Sequence, residues 1–349
     1  MPESTVLRAK APLRISFSGG GTEIEPFLSE EGGCVLTSTI NSYAHGSFVS
    51  RNDGTIRVHS VDYDIVESFS AYSKLEYDGS LDLFKGVINQ VVGKDNKGMN
   101  IFLETGVPPG SGLGASSAVV VCLVGLLREA YNLSIDQYQI SELAYKIERE
   151  ELGIHGGMQD QYAACFGGIN FIEFSAEGVV VNPLRVRTEI INELEHNLLL
   201  CHTGKSRASS HIIEHQVSNY EDKNKRNTLR NMKIITQEMK VALLKGDLQE
   251  FSYLLGQEWE SKKSLSNRIS NDSIDEIYDI CLKAGAIAGK ISGAGGGGYL
   301  LLYCPFEKKH IVTRELQDNN IKIRPFSFTS EGLEIWRPLM NSGVKNGRD

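Results

Sequence analysis

Apolar and polar residues alternate over 6–18, 33–50, 55–61 and 65–69, a period of two that predicts four strands early in the chain. Arg51-Asn52-Asp53-Gly54 is a hairpin turn signal between the second and third of them. Leu83, Val87 and Val91 give 81–92 a helical period, and 99–104 returns to a strand. Helical patterns follow over 115–131 and 135–152; the second opens at Ser134-Ile135-Asp136 and repeats apolar residues at Ile140, Leu143, Ala144 and Ile147. Gly153-Ile154-His155-Gly156-Gly157 stops that helix and 158–166 resumes one. After Gly167-Gly168, a strand over 169–174 is expected to pair with 179–181. Beyond a change of character over 183–195, a strand (197–203) leads into helices over 210–220, 227–244, 248–265 and 273–284. A strand (299–304), a helix (306–317) and a strand (321–328) complete the pattern, and the tail after Arg337 is expected to be loose. The fold class is therefore α/β (α+β), the second half being an α+β sandwich with several helices.

Length turns this pattern into two domains, 1–185 and 186–349, because 349 residues exceed one ordinary core. A net charge of −8 with no basic stripe excludes a nucleic-acid binder, and means that any anionic substrate must meet locally concentrated positive charge. Arg8, Lys10 and Arg14 sit on nearly alternate positions of the first strand, where several can share a face; a solvated face is the plainer reading for Arg8. No apolar run is long enough to span a bilayer, and Met1-Pro2-Glu3-Ser4-Thr5 has no signal pattern, so a cytoplasmic protein without a membrane partner is expected. The six cysteines form no C-x-x-C pair and sit mostly in apolar runs, which points to reduced core residues.

The candidate chemistry lies in three glycine-rich stretches. Pro109-Gly110-Ser111-Gly112-Leu113-Gly114-Ala115-Ser116-Ser117 stands between a predicted strand and a predicted helix. That order leaves helix N–H groups and the positive dipole end facing an anion, while the glycines let the backbone close on it. It lacks the lysine of a Walker loop. Alone, such a loop is equally a place where small residues let another element pass closely. Gly19-Gly20-Gly21-Thr22-Glu23 and Lys290-Ile291-Ser292-Gly293-Ala294-Gly295-Gly296-Gly297-Gly298 are the other two, and three in one chain point to a nucleotide and a second substrate in one cleft. Phosphoryl transfer needs donors around the phosphates, a metal and a residue to orient the attacking hydroxyl. Ser117 and Glu148 are hard-oxygen candidates for Mg2+, and Asp160 for the base. Singly, Glu148 also reads as a helix charge beside the apolar stripe and Asp160 as a first-turn acid on a helix dipole. Arg149, Glu150 and Glu151 read as solvated charges.

The stretch 109–118 resembles the central ATP-binding motif of the GHMP kinases. Ala11-Pro12-Leu13-Arg14-Ile15 with Gly20-Gly21-Thr22-Glu23 resembles their N-terminal substrate motif, and 290–298 their C-terminal glycine motif, all in the family's order. The resemblance implies a two-domain fold, an N-terminal ATP-loop domain and a C-terminal ferredoxin-like domain with the active site between them. It also implies ATP bound by 109–117, Mg2+ at Glu148 with Ser117 the metal-side hydroxyl and Ser116 the phosphate contact, and Asp160 as catalytic aspartate. Substrate would meet Arg14, Gly20, Gly21, Thr22, Glu23, Thr203, Gly204, Arg207, Gly295 and Gly296. Within the family, 14–22 and 202–209 look most like kinases that phosphorylate D-glycero-D-manno-heptose 7-phosphate at its anomeric hydroxyl, on the way to GDP-heptose for surface polysaccharide. Lys205 and Arg207 are then candidates, with Arg14, for the substrate phosphate. Glu23 stands where aspartate is expected, and Gly-Gly-x-Gln-Asp-Gln also occurs in fucokinase-like members. L-fucose kinase and a galactokinase-like free-sugar kinase are therefore the near alternatives, and a non-catalytic sensor on the same fold is the alternative of another class. A monomer or homodimer is expected.

Overall fold

The computed structural model describes residues 5–92, 98–204, 209–220 and 222–339. The first strand, β1 (Val6–Ser18), pairs antiparallel with the long β2 (Gly33–Ser50), and the short helix α1 (Phe27–Glu31) fills the return between them. Register shifts at Pro12/Leu13 and Ser16/Ser18 interrupt that ladder. Before the first shift β1 alternates half-exposed and buried; beyond it both faces are buried, which takes Arg14 and Ser16 out of solvent.

The strands β3 (Thr55–Ser60) and β4 (Ile65–Ser70) form a hairpin, but β3 does not pair with β2 as the Arg51–Gly54 turn signal implied. After helix α2 (Asp82–Val91), strand β5 (Met99–Glu104) inserts between them, antiparallel to β2 and parallel to β3. A turn signal specifies local reversal of the chain; it does not say which strand takes the neighbouring slot, and here Met99, Ile101 and Leu103 fill it with buried side chains. Helices α3 (Ala115–Ala130), α4 (Gln137–Tyr145) and α5 (Gln159–Phe166) follow, with α3 and α5 packed on β1 and β2. The helix expected over 135–152 is divided: α4, closed at its start by an Asp136–Gln139 capping box, gives way to a π-helical turn at Lys146–Glu151. Strands β6 (Ile169–Ser175) and β7 (Gly178–Pro183) pair as expected, with β6 also on β2.

A helix unmarked by the sequence pattern, α6 (Thr188–Asn197), leads to the second sheet. It is antiparallel, in the order β11 (Lys322–Ile323), β8 (Leu198–His202), β10 (Tyr299–Tyr303), β9 (Ala288–Ile291). Helices α7 (Ser209–Val217), α8 (Lys223–Lys245), α9 (Leu248–Leu265), α10 (Asp272–Ala284) and α11 (Phe306–Asp318) complete this half. The strand expected over 321–328 is cut to β11, because the chain then leaves the second sheet: Ser327 O accepts from Asn41 N, and Phe328 bridges Ile40. It ends as β12 (Glu334–Trp336) on the outer side of β1. All six cysteines are buried, and burial pushes the thiols of Cys34, Cys122 and Cys165 up to about 12. Among the described residues no helix is long and apolar enough to cross a membrane.

Candidate functional site

Backbone bonds bring the glycine loops together. Arg14 N donates to Leu113 O at 2.9 Å, and Tyr299 N donates to Ser111 O at 3.1 Å. A side chain at Gly112 (φ +76°) would overlap the Ser292 carbonyl, so the first and third loops are in backbone contact. Gly114 (φ +74°) begins α3 with no side-chain cap, which leaves first-turn N–H groups for an anion. A Cβ on Gly114 would stand 3.4 Å from both Arg14 Cγ and Asp160 Cγ, so this loop lies directly on the Arg14–Asp160 pair.

That pair is tight. Arg14 Nε donates to Asp160 Oδ1 at 2.7 Å and its NH2 lies 2.6 Å from the same oxygen, while NH1 donates to Gly112 O at 2.6 Å. Both contacts fall on Oδ1; among the described residues no hydrogen bond engages Oδ2. Arg14 is therefore spent on Asp160 and Gly112, and Lys10 pairs instead with Glu334, so Arg8, Lys10 and Arg14 do not form one cationic face. Glu148 is fully buried on the π-helical turn, accepting from Ser116 Oγ at 2.7 Å and from Gln161 Nε2 at 2.5 Å; Gln161 Nε2 also reaches Ser117 Oγ at 3.1 Å. It is Ser116, not Ser117, that bonds Glu148 directly. Glu23 is buried too, accepting from Gly21 N at 2.6 Å and from Gln159 Nε2 at 2.6 Å, and burial raises its carboxyl above the usual carboxylate range.

One cavity of about 850 Å3 opens onto these groups. Arg14, Gly20, Gly21, Glu23, Glu148, Asp160, Pro109, Gly110, Ser111, Gly112, Gly114, Ala115, Ser116 and Ser117 line it. Ile65, Leu81, Leu83, Phe84, Leu103 and Val107 also line it, interspersed with Ser60, Asp62 and Asp82. Other predicted residues stand elsewhere. Thr22 is buried, its hydroxyl donating to Gly19 O and Cys34 O, and Leu113 belongs to the core. Thr203 is tied to Gly298 O, and Gly204 is exposed. Gly295 and Gly296 pack against Ile269 and Ile212, away from the cavity wall: in that loop Gly293 and Ala294 line it. Arg207 and Lys205 lie outside the described residues.

The site also holds residues the sequence pattern did not single out. Arg149 is not a solvated charge; it lines the cavity, donating to Ile154 O at 3.2 Å, with its NH1 3.9 Å from Glu148 Oε1. The π-helical turn adds a residue to the helical register, a device found where helices carry functional groups, and here that turn carries both Glu148 and Arg149. Lys262 from α9 reaches the cavity near Gly20. Beneath the Gly19–Glu23 loop, Glu258 accepts from Gly19 N at 3.0 Å and lies 3.8 Å from Lys290 Nζ, both side chains wholly buried. Burial pushes Glu258 up and Lys290 down to about 7. A signal for α9 was available: Phe251, Leu254, Leu255, Glu258, Trp259 and Lys262 share one buried stripe, so two charges fall on the apolar face.

A magnesium ion fits the Glu148 cluster. One carboxylate and two hydroxyls are hard oxygen donors, and Gln161 Oε1 beside them is buried without a partner. Among the described residues no group of three His, Cys, Asp or Glu gathers, so such an ion would draw its remaining ligands from phosphate oxygens and water.

Comparison with known proteins places the family and the fold. Residues 82–168 match the model for the GHMP kinases N terminal domain and 239–322 that for GHMP kinases C terminal. The chain is 40% identical over 336 residues to D-glycero-alpha-D-manno-heptose 7-phosphate kinase of Campylobacter jejuni, covering 95% of this chain and 99% of that one. The crystal structure of a D-glycero-D-manno-heptose 1-phosphate kinase from Bacteroides thetaiotaomicron superposes with a TM-score of 0.81 at 35% identity, covering 96% of this chain and all (100%) of that one. Galactokinase of Lactococcus lactis, solved with galactose, shares the fold alone at 19% identity, with a TM-score of 0.77 over 94% of this chain and 95% of that one. The chain belongs to the GHMP kinase family and has its two-domain, mixed α/β fold. It is an ATP-dependent phosphotransferase.

Proposed function

We propose that this sugar kinase transfers the γ-phosphoryl group of ATP to the anomeric hydroxyl of D-glycero-D-manno-heptose 7-phosphate, forming the 1,7-bisphosphate. The observation that carries this reading is the Asp160 carboxylate, held by Arg14 on one oxygen and lying against Gly114 of the glycine loop. The loop and the first turn of α3 bind triphosphate oxygens through backbone N–H groups. Asp160 accepts a hydrogen bond at Oδ2 from the anomeric hydroxyl and takes its proton as the phosphoryl group transfers; that hydroxyl is more acidic than an ordinary alcohol, which suits a carboxylate base. Arg14 keeps the carboxylate oriented throughout. Glu148, Ser116 and Ser117 would hold Mg2+, which would supply charge neutralisation to the phosphates. Gly20, Gly21 and Glu23 border the sugar, with Lys205 and Arg207 the sequence-based candidates for its standing phosphate. We divide the domains at 185/186, between the last strand of the first sheet's early run and the first strand of the second. An enzyme of this kind works where ATP and sugar phosphates are held, in the cytoplasm.

The relatives support a phosphorylated heptose, one being a kinase of the 7-phosphate by name and the other of the 1-phosphate. The test is ADP release with ATP and magnesium across heptose 7-phosphate, heptose 1-phosphate, mannose 6-phosphate, L-fucose and galactose. Turnover with heptose 7-phosphate, weaker with mannose 6-phosphate, is expected. Turnover of heptose 1-phosphate in its place moves the accepting hydroxyl, and turnover of a free sugar removes the need for a second phosphate site. ATP binding without turnover of any of them returns the sensor reading.

A further inference from the structure

Two cavity cations, Arg149 and Lys262, take no part in the proposed reaction; Arg149 is bonded to Ile154 O and lies beside Glu148, which leaves Lys262. Lys262 lies one turn after Glu258 on the buried face of α9, and its side chain is 3% exposed. It lines the cavity, and its Nζ donates to Gly20 O at 3.2 Å. Among the described residues no carboxylate comes within 4.0 Å of that nitrogen. The charges that face it are Glu258 on its own helix, Glu23 and Arg14 from β1 and its loop, Asp160 from α5 and Lys290 from β9. An ammonium carries three donors, so two remain for whatever enters the cavity. Leaving them unmet in a buried site is unfavourable, and burial accordingly pulls the Lys262 pKa down.

Gly20 supplies a second observation. Its backbone is not in the left-handed region, so its conformation does not call for glycine. A Cβ there would stand 3.2 Å from Lys262 Nζ and 3.3 Å from Gln159 Nε2, tight against the ends of both side chains. The absent side chain keeps an opening in front of the ammonium.

We propose that Lys262 contacts the acceptor: through the space left by Gly20 its ammonium donates hydrogen bonds to an oxygen of the acceptor sugar, on the Glu23 side of Asp160. The second half of the chain thereby contributes directly to acceptor recognition. This rests on the cavity being a kinase acceptor site, as proposed above, and not on which sugar fills it.

The test replaces the ammonium while keeping its apolar stem, Lys262→Met, and separately covers it, Gly20→Ala. Acceptor affinity is measured by titration calorimetry and KM by ADP release, using whichever compound of the panel the unmodified enzyme binds. A failure of the heptose reading therefore changes the compound and leaves this test standing. Losing a hydrogen bond from a charged donor weakens acceptor binding about 10- to 100-fold. Both variants are expected to show that loss with the KM for ATP unchanged, and Lys262→Met to melt no lower than the parent. Unchanged acceptor affinity in both overturns the proposal. So does a parallel rise of both KM values with a lowered melting temperature, which would make the ammonium a structural group. Should Lys262→Met fail to fold, Gly20→Ala decides alone in the same two directions.

Discussion

At the scale of single residues the site turns on where charge is partnered. Asp160 has one oxygen fixed by Arg14 and the other unengaged among the described residues. Asp160→Asn keeps the shape and removes the base, and is expected to lower kcat about 100- to 10,000-fold in the ADP-release assay; near-normal turnover would refute its role. Glu258 and Lys290 are a different case, buried out of reach of substrate. Glu258→Gln leaves Lys290 facing Ser16 O with its carboxylate gone, and should destabilise by about 3–5 kcal/mol in urea unfolding, with part of the loss recovered in Glu258→Gln/Lys290→Met. The sign with pH follows from Lys290, whose folded value of about 7 is below its ordinary 10.5. The unfolded chain then binds more protons between those limits, so stability grows as pH rises, and the variant's deficit is expected to be narrower at pH 9 than at pH 6. Asp160 was legible at a helix start after Gly156-Gly157, whereas Arg14 and Glu148 stood out through the resemblance of their surroundings to the GHMP kinase motifs. Arg149, Glu258 and Lys262 were not legible, because a charge in a helix reads as solvated unless the apolar stripe running through its position is followed first.

Among elements, the strands were legible wherever one face is buried, as in β1 before its bulge, and the helices wherever the apolar period is sustained. What pattern alone did not supply was partnership. The Arg51–Gly54 turn named a reversal but not β5, and α4 carries no mark where its register opens into the π-helical turn. The glycine loop behaves as an element in its own right because it touches three others. Gly112→Ala forces a Cβ onto the Ser292 carbonyl at a positive φ, a backbone strain of about 1–2 kcal/mol before the clash is counted. The expected outcome is a folded protein with an ATP KM raised about tenfold or more. An unchanged ATP KM would separate this loop from the nucleotide.

For the whole molecule, two sheets were foreseeable from the change of character near 183–195, but the crossing of the chain back to its beginning was not. That crossing is short and depends on tertiary fit: Leu333 and Ile335 lie over Gly125 of α3, and Gly332 lies so close to Cys165 O that a side chain would overlap it. Ending the chain at residue 329 removes β12 and this contact. The truncated protein is expected to melt lower by several degrees, with a greater tendency to associate through the uncovered edge of β1, read by light scattering. A melting temperature and a monomer fraction equal to those of the full chain would show β12 to be dispensable.

The pairing of residues 8–10 with 334–336 also orders events during synthesis. β1 leaves the ribosome well before β12, because the rest of the first sheet and the whole of the second are translated between them. Until β12 emerges the first sheet must therefore persist with an open side, and the polar residues Arg8 and Lys10 sit on that waiting stretch, where charge discourages a stray strand from adding.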